Sequence, residues 1–304
     1  MNGIINILKP PMMTSNSVVA AVKKYTGQSH VGHTGTLDPN AAGVLPICIG
    51  KATKLAEYFL ADEKEYIGEI LFGIETDSCD TEGSITAQSN FIPSEAEIKK
   101  ALKNFCGDIV QFPPAFSAIK INGKKAYELA RQNIDVDIPP RNVFVHSIEI
   151  MSFTAHNRAV VKVRCSKGTY IRSLARDIGR SLNSYACLSM LVRTKCGVFD
   201  ISNAVTLDDV RASFANGTED KVMIKPNDAL SYLPFMEFSP QYQKKLICGN
   251  AIGTENLLHK YDAKSCTDDG PVRIICGGEF IGVGKLMQGN NGMKVLQPTK
   301  VIAD

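Results

Sequence analysis

The sequence predicts an α+β protein that ends in a small β-unit. The first 60 residues have the apolar spacing of a strand, a helix, a second strand and a second helix. An amphipathic helix follows Gly168, and after about residue 235 helical periodicity gives way to short β-like runs. In a chain of 304 residues we therefore predict two domains, residues 1–235 and residues 236–304.

The N-terminal elements follow from apolar runs and turn residues. An apolar run at residues 4–8 predicts a strand. Asn16 or Ser17 can cap the helix that follows, and Gly27 is placed to end it. Residues 28–43 are rich in Gly, Thr and Asn, which is typical of a loop, and a short apolar run follows them.

Later elements show clearer periodicity. Residues 66–72 predict a strand, and Ser94 can cap a helix. Residues 159–165 alternate between apolar and basic side chains, which indicates a half-buried strand. Residues 171–182 predict an amphipathic helix, and Gly residues at 277–278 predict the turn of a C-terminal hairpin.

Composition excludes several classes of protein. Apolar residues make up 44% of the chain and charged residues 21%, which is typical of a folded globular protein. No apolar run reaches the ~18 residues of a membrane helix, and no signal peptide is evident, so we expect a cytoplasmic protein without a membrane anchor. The nine cysteines include no C-x-x-C pair, so neither a disulfide framework nor a zinc site is expected.

Charge is segregated along the chain, although the net charge is only +3. Residues 151–200 hold nine Lys or Arg and two acids, whereas residues 57–82 hold nine acids and one Lys. Arg172, Arg176 and Arg180 recur at every fourth residue of the predicted helix and form a basic stripe. This pattern predicts an electropositive face, and chance clustering on solvated surfaces is the alternative.

Asp38 is the only acid among the first 50 residues and lies in a Gly-rich loop. Two interpretations fit it: an N-cap with Pro39 at the first helical position, or a catalytic carboxylate. The loop matches neither a phosphate-binding glycine motif nor a nucleophile elbow. His33 has no other ligand-type residues at metal-binding spacing around it, so no metal site is expected.

The residues around Asp38 carry a resemblance to a known family. Residues 32–39, Gly-His-Thr-Gly-Thr-Leu-Asp-Pro, followed by residues 43–46, Gly-Val-Leu-Pro, resemble the signature of the TruB family of bacterial tRNA pseudouridine-55 synthases. Further blocks match in the family's order, namely Lys9-Pro10, Thr76 to Gly83, Pro113 to Tyr127, Ser166 to Arg172 and Leu191 to Phe199. The blocks span roughly residues 3–210, so a chance match is improbable.

The sequence also departs from the family pattern. The family usually has Leu, Thr, Glu, Tyr and Arg at five positions where this chain has Asn40, Ala42, Lys51, Phe116 and Val192, respectively. Residues 11–13, Pro-Met-Met, stand where a Gly is common. None of these changes removes a residue to which the resemblance assigns chemistry.

The resemblance implies a fold and an activity. The fold is the pseudouridine synthase fold, with a mixed central sheet flanked by helices, plus a C-terminal PUA-like β-barrel that extends the RNA contact. The activity is isomerisation of a uridine to pseudouridine in the TΨC loop of tRNA. The reaction uses no cofactor or metal, because the base is detached, turned and rejoined without consuming another reactant. The target base must first be extruded from the folded loop.

The resemblance also implies roles for individual residues. Asp38 is the catalytic carboxylate, and attack at C1′, attack at C6 and deprotonation of the ribose remain alternatives. Arg172 is the cation that pairs with Asp38. Tyr66 is the catalytic tyrosine, whose ring stacks on the uracil and whose hydroxyl lies near C5. The remaining assignments concern RNA and substrate binding: His33 fills the space that the base leaves, Tyr170 and Leu191 form walls of the base pocket, and Lys9 and Lys120 contact the RNA. The basic residues around 120–131 and 158–180 are expected to contact phosphates.

Three other functions are weighed against this one. The related catalytic subunits of guide-RNA-directed particles usually carry long basic tails, so a stand-alone, monomeric enzyme without an obligate protein partner is expected. A non-catalytic tRNA-binding protein is disfavoured because Asp38, Tyr66 and Arg172 occur together. A glycosidase would need a second carboxylate in a suitable context, and the sequence offers none.

Overall fold

The computed structural model describes residues 1–59, 63–117, 119–121, 123–130, 132, 134, 138–155, 157–258, 270–289 and 293–303. The side chains of residues 120, 124, 125, 127 and 155 lie outside this description. All structural statements below concern these residues.

The strands are, in chain order, β1 (Gly3–Lys9), β2 (Val31–His33), β3 (Ala42–Ile49), β4 (Glu63–Phe72), β5 (Ile74–Thr76), β6 (Ile85–Gln88), β7 (Gly107–Gln111), β8 (Lys120–Ile121), β9 (Lys124–Lys125), β10 (Arg141–Ala155), β11 (Arg158–Ser166), β12 (Ala186–Cys196), β13 (Phe199–Asp200), β14 (Phe235–Phe238), β15 (Ile252–Gly253), β16 (Pro271–Cys276), β17 (Glu279–Gln288) and β18 (Lys294–Val301). The α-helices are α1 (Ser15–Thr26), α2 (Ala56–Phe59), α3 (Glu95–Leu102), α4 (Ala126–Ala130), α5 (Ile171–Ser181), α6 (Leu207–Ala215), α7 (Pro226–Ala229) and α8 (Gln243–Ile247).

A mixed central sheet organises the N-terminal part of the chain. Its strands lie in the order β1-β3-β12-β4-β11-β10-β7, with β2 beside β3 and β13 beside β12. Its strand pairs are antiparallel except β12 with β3. The apolar sides of α1 and α5 join strand residues in one buried cluster. The predicted α+β fold with a mixed central sheet is confirmed.

Local capping residues set the ends of α1. Thr14, not Asn16 or Ser17, is the N-cap, because its side chain accepts a hydrogen bond from the Ser17 amide. The helix therefore begins at Ser15, earlier than the sequence indicated. It ends as predicted at Gly27, whose φ of 65° is a left-handed conformation that glycine adopts at little cost.

The segregated charges face each other across two neighbouring strands. β4 carries acidic residues and pairs in antiparallel register with β11, which carries basic ones. Arg158 lies 2.6 Å from Glu69, and Lys162 lies 3.1 Å from Glu65. The predicted electropositive face is thus largely neutralised here, because strand pairing brings the acidic segment beside the basic one. A prediction from the local charge of one segment could not include this neutralisation, because β4 and β11 are far apart in the sequence.

The C-terminal part forms a second sheet, of five strands in the order β14-β16-β17-β18-β15. The predicted hairpin is present, since β16 and β17 pair through Gly277 and Gly278. β14 begins at Phe235, where the sequence changes its periodicity. The small C-terminal β-unit is therefore confirmed, whereas its barrel-like closure and its independence as a domain remain predictions.

The two parts of the chain share an apolar cluster. Val283 and Ile302 from the C-terminal sheet pack in it with Leu55, Phe59 and Leu233. Nearby, the Lys51 ammonium donates to the Ala303 carbonyl at 3.0 Å. Lys51, one of the departures from the family pattern, thus helps to hold the end of the chain against the N-terminal part.

Two negative expectations can be compared with the described residues. In that part of the chain, all cysteines are free thiols, and no group of His, Cys, Asp and Glu is arranged to hold a metal ion. Nor does any helix there have the length and apolar character needed to cross a bilayer.

Candidate active site

An open cleft of about 590 Å³ lies beside the loop that contains Asp38. Its lining comes from residues within segments 14–16, 33–40, 77–84 and 116–117, together with Arg172. These segments belong to the start of α1, the end of β2 with its connection to β3, the turn between β5 and β6, the connection from β7 to β8, and the start of α5. The cleft therefore has the size of a small-ligand site and collects polar side chains from distant parts of the chain.

An ion pair between Asp38 and Arg172 occupies the cleft. Arg172 Nε lies 2.9 Å from Asp38 Oδ2, and the Arg172 side chain is only 6% exposed, whereas that of Asp38 is 40% exposed. The guanidinium also donates to the carbonyls of Ser78 and Phe116, both at 3.0 Å. Arg172 is thus fixed by other parts of the chain and is not a solvated member of a basic stripe. One edge of its guanidinium faces the Asp38 carboxylate, which solvent can reach.

Arg172 contacts a second carboxylate that the sequence reasoning did not assign. Its Nη1 lies 3.4 Å from Asp80 Oδ2. Asp80 is in turn held within its own turn, since the Ser78 hydroxyl donates to its Oδ1 at 2.5 Å and the Glu82 amide at 3.1 Å. The sequence does point to this region, because the acidic segment from Thr76 to Gly83 matches a family motif. The match assigns no role to Asp80.

The fully buried side chain of Arg193 supports the loop around Asp38. The sequence analysis did not assign it this role. Arg193 on β12 donates to the carbonyls of Val44 at 2.8 Å, Gly35 at 3.3 Å and Thr36 at 3.4 Å. Gly43 is needed beside it, because a Cβ there would lie 2.2 Å from the Arg193 carbonyl oxygen. The guanidinium thereby joins the first part of what we call the Asp38 loop, residues 34–41, to β3, the strand that follows the loop.

Two further side chains hold the centre of the Asp38 loop. The buried Ser15 hydroxyl donates to the Leu37 carbonyl and accepts from the Leu37 amide, both at 2.9 Å. The Lys9 ammonium donates to the carbonyls of Pro39 at 2.9 Å and Met13 at 2.6 Å. The Asp38 carbonyl accepts from an amide within the loop at 3.1 Å. Each carbonyl from residue 35 to residue 39 thus has a partner.

The position of Lys9 corrects one expectation from the sequence. Lys9 was expected to contact RNA, but its side chain is fully buried and all its hydrogen bonds described here go to backbone carbonyls. Burial lowers the pKa of Lys9 from 10.5 to about 8, although attraction by Asp38 opposes this shift. Lys9 therefore supports the loop and does not face the cleft.

Tyr66 is buried and is not among the residues that line the cleft. It is buried on β4, opposite Arg193 in strand register. Burial raises the pKa of the Tyr66 hydroxyl to about 12, and the Arg193 guanidinium partly opposes that rise. The phenol is therefore neutral at physiological pH, and contact between its ring and a uracil would require the substrate to reach deeper than the open cleft.

His33 lines the cleft next to the Asp38 loop. Its Nδ1 accepts a hydrogen bond from the Gly35 amide at 3.3 Å, so the neutral ring carries its proton on Nε2. Burial, followed by the repulsion of Arg193, lowers the pKa of His33. A neutral, partly buried ring is suited to packing against a base rather than to binding phosphate.

The other predicted binding residues have different positions. Tyr170 precedes α5, where the Gln111 side chain holds its backbone by two hydrogen bonds, at 3.0 and 3.2 Å. Leu191 lies on β12 in register with Gly68 and packs against the core, and it does not line the cleft. The Lys120 side chain lies outside the described residues.

Comparisons with known proteins identify the family of the chain. The family model described as TruB family pseudouridylate synthase (N terminal domain) matches residues 23–171, and that described as tRNA pseudouridylate synthase B C-terminal domain matches residues 172–231. The chain is 39% identical over 302 residues to tRNA pseudouridine synthase B of Alkaliphilus oremlandii (strain OhILAs), covering 99% of each chain. It is 40% identical over 298 residues to the protein of that name from Clostridioides difficile (strain 630), covering 97% of this chain and 98% of the relative.

A solved structure shares the fold. It is described as an H/ACA RNP bound to a substrate RNA containing 2′-deoxyuridine. Its matching chain is 25% identical to this one with a TM-score of 0.75, and the alignment covers 99% of this chain and 85% of that one.

The titration of Lys9 gives a testable pH dependence. Above about pH 8 the buried ammonium loses a proton, so its donors fall from three to two and one of its three carbonyls loses its partner. Catalytic turnover should therefore fall as the pH rises through about 8. The contribution of Lys9 to folding stability runs the other way: it is complete above pH 10.5 and is lost as the pH falls through about 8.

The measurement is kcat between pH 7 and 10 for the wild type and for Lys9→Met, which has no titrating group. Lys9→Met should have a lower kcat throughout and should lack the decline near pH 8. An identical alkaline decline in both proteins would assign it to another group.

Proposed function

The chain belongs to the TruB family of pseudouridylate synthases and isomerises uridine to pseudouridine in tRNA, and from this premise we propose that its target is the uridine at position 55 of the TΨC loop and that Asp38 is the catalytic carboxylate. The observation that carries the proposal is the Asp38–Arg172 ion pair in an open cleft. One oxygen of Asp38 is held by a buried guanidinium, while the carboxylate remains accessible to a ligand.

The reaction requires one well-placed carboxylate. The N1–C1′ bond of the uridine breaks, the base turns, and a C5–C1′ bond forms; C5 loses a proton and N1 gains one, so nothing is oxidised or reduced. An ionised Asp38 can act as nucleophile at C1′ or C6, or as the base that deprotonates the ribose. Arg172 fits each route, because its contact with Oδ2 orients the carboxylate.

We propose that the uridine enters the cleft as a single extruded nucleotide. A volume of about 590 Å³ is of the size that holds one small ligand, not a folded RNA loop. Extrusion costs a few kcal/mol of stacking energy, which a side chain filling the vacated space can offset in part. His33, which lines the cleft, is proposed to fill this space. Tyr66, Leu191 and Tyr170 are proposed to contact the extruded base.

We propose that phosphate contacts come from basic residues outside the neutralised strand pair. Arg141 at the start of β10 is exposed, and its charge acts on Tyr170, a proposed wall of the base pocket. Lys120 and the C-terminal sheet are proposed to extend this contact along the tRNA. Such contacts supply affinity without sequence information and weaken as salt rises.

The proposal also covers the cellular setting. We propose that the enzyme acts in the cytoplasm as a monomer on free tRNA. The relative in the H/ACA particle works within an assembly, as its description states, but the curated relatives that match nearly the whole chain are described as tRNA enzymes.

The proposed role of Asp38 can be tested with an unmodified tRNA transcript. The wild type should form one pseudouridine, mapped to position 55, whereas Asp38→Asn should bind the transcript with near wild-type affinity and form none. The amide keeps the shape of the side chain but removes its basicity and nucleophilicity. Residual turnover above about one hundredth of wild type, a loss below ~3 kcal/mol, would contradict the assignment. Failure of the wild type to modify any tRNA would contradict the proposed function itself.

Arg172→Lys tests the orienting contact separately. A lysine keeps the charge but cannot reproduce the fork that reaches Asp38, Asp80 and two carbonyls. We expect kcat to fall at least about tenfold, ~1.4 kcal/mol, with little change in tRNA affinity or its salt dependence. The measurement is single-turnover kinetics at two salt concentrations.

Arg176→Lys is the matched control, because Arg176 lies one turn further along α5 and contacts Asp177 and the Phe112 carbonyl. Its kcat should stay near wild type. Equal kcat values for the two variants would remove Arg172 from the catalytic machinery.

A further inference from the structure

Met12 combines two unfavourable features. Its φ of 62° places it in the left-handed region, where the Cβ of an L-residue crowds the backbone. Its side chain is 79% exposed, so burial of the thioether does not offset this crowding. Such strain, where it persists, is concentrated at ligand-binding and catalytic sites.

The other left-handed, non-glycine residues of the described chain differ from Met12. Asn183 has a short polar side chain of the kind that tolerates this conformation, Cys79 is buried, and Tyr185 is half-buried. Among these four residues, Met12 alone is both apolar and exposed.

The turn that contains Met12 is joined to the Asp38 loop. The Lys9 ammonium donates both to the Met13 carbonyl at 2.6 Å and to the Pro39 carbonyl at 2.9 Å, so one buried group holds the two segments together. The next three residues, 14–16, line the cleft. Met12 therefore lies two residues before Thr14, which lines the cleft, in a turn that Lys9 links to the Asp38 loop.

A substrate larger than the cleft must extend beyond its lining residues, onto segments such as the turn that precedes Thr14. The cleft of about 590 Å³ admits a single extruded nucleotide, so the nucleotides on either side of it remain outside. Nucleobases present flat π-faces irrespective of sequence. A methionine sulfur makes favourable contacts with aromatic rings, and its unbranched side chain adapts to their position.

We propose that Met12 is a binding residue for the RNA substrate, and that its thioether packs on the face of a nucleobase adjacent to the extruded uridine. This inference rests on the proposed function, since it takes tRNA as the ligand. Met12 contributes affinity for the RNA and takes no part in the chemistry.

The test compares Met12→Gly, Met12→Asn and Met12→Leu on an unmodified tRNA transcript. Gly and Asn both suit the left-handed backbone but remove the apolar contact, so each should raise KM about three- to tenfold while kcat stays within about twofold. Met12→Leu keeps an apolar side chain of similar size, and its KM should stay within about twofold of wild type.

Asn183→Gly is the matched control, because Asn183 is also left-handed, with a φ of 54°, and is not among the residues that line the cleft. Both glycine variants should melt at or slightly above the wild-type temperature, and only Met12→Gly should raise KM. A wild-type KM for Met12→Gly, a KM for Met12→Leu as high as that of Met12→Gly, or a lower melting temperature for Met12→Gly would each overturn the inference.

The result remains distinguishable from a failure of the proposed function. If the wild type modified no tRNA, the proposed function would fail. Filter binding of the transcript to wild type and Met12→Gly would then still decide whether Met12 contacts RNA.

Discussion

The architecture of the site depends on one constraint: the backbone carbonyls of residues 35–39 lie outside any helix or sheet and still need hydrogen-bond partners. A buried carbonyl without a partner costs about 1–3 kcal/mol. Three side chains, Arg193 of β12, Ser15 of α1 and Lys9 of β1, supply most of the donors. These donors lie on rigid elements, because β1, β3 and β12 are adjacent in the sheet. The position of Asp38 is therefore fixed as well.

The same constraint organises the electrostatics of the site. Lys9 and Arg193 are buried cations that donate to carbonyls, and neither forms an ion pair with a carboxylate among the described residues. Both support the loop that carries Asp38, whose Oδ2 lies 2.9 Å from Arg172 Nε. Burial raises the pKa of Tyr66 to about 12 and lowers that of His33, so both are neutral at physiological pH.

Sequence reasoning succeeded where structure is local. The helix at residues 171–181 and the hairpin at 277–278 follow from short-range periodicity and turn chemistry, and Asp38 was found through a contiguous motif. It failed where contacts between residues distant in the sequence determine the structure. No strand was predicted at β12, and no local pattern indicates that its Arg193 is buried, because the partners of that side chain lie about 150 residues away. Likewise, the sequence predicted that Lys9 binds RNA, whereas in the structure its ammonium donates to three backbone carbonyls.

The central claim is that a buried guanidinium holds the Asp38 loop in its reactive conformation, and Arg193→Lys tests it most directly. Lysine keeps the charge but cannot reach Gly35, Thr36 and Val44 together. In single-turnover assays on a tRNA transcript, we predict that kcat falls at least about tenfold, ~1.4 kcal/mol, while the dissociation constant for tRNA stays within about twofold of wild type. A folded Arg193→Lys protein, judged by near-ultraviolet circular dichroism, that retains wild-type kcat would contradict the claim.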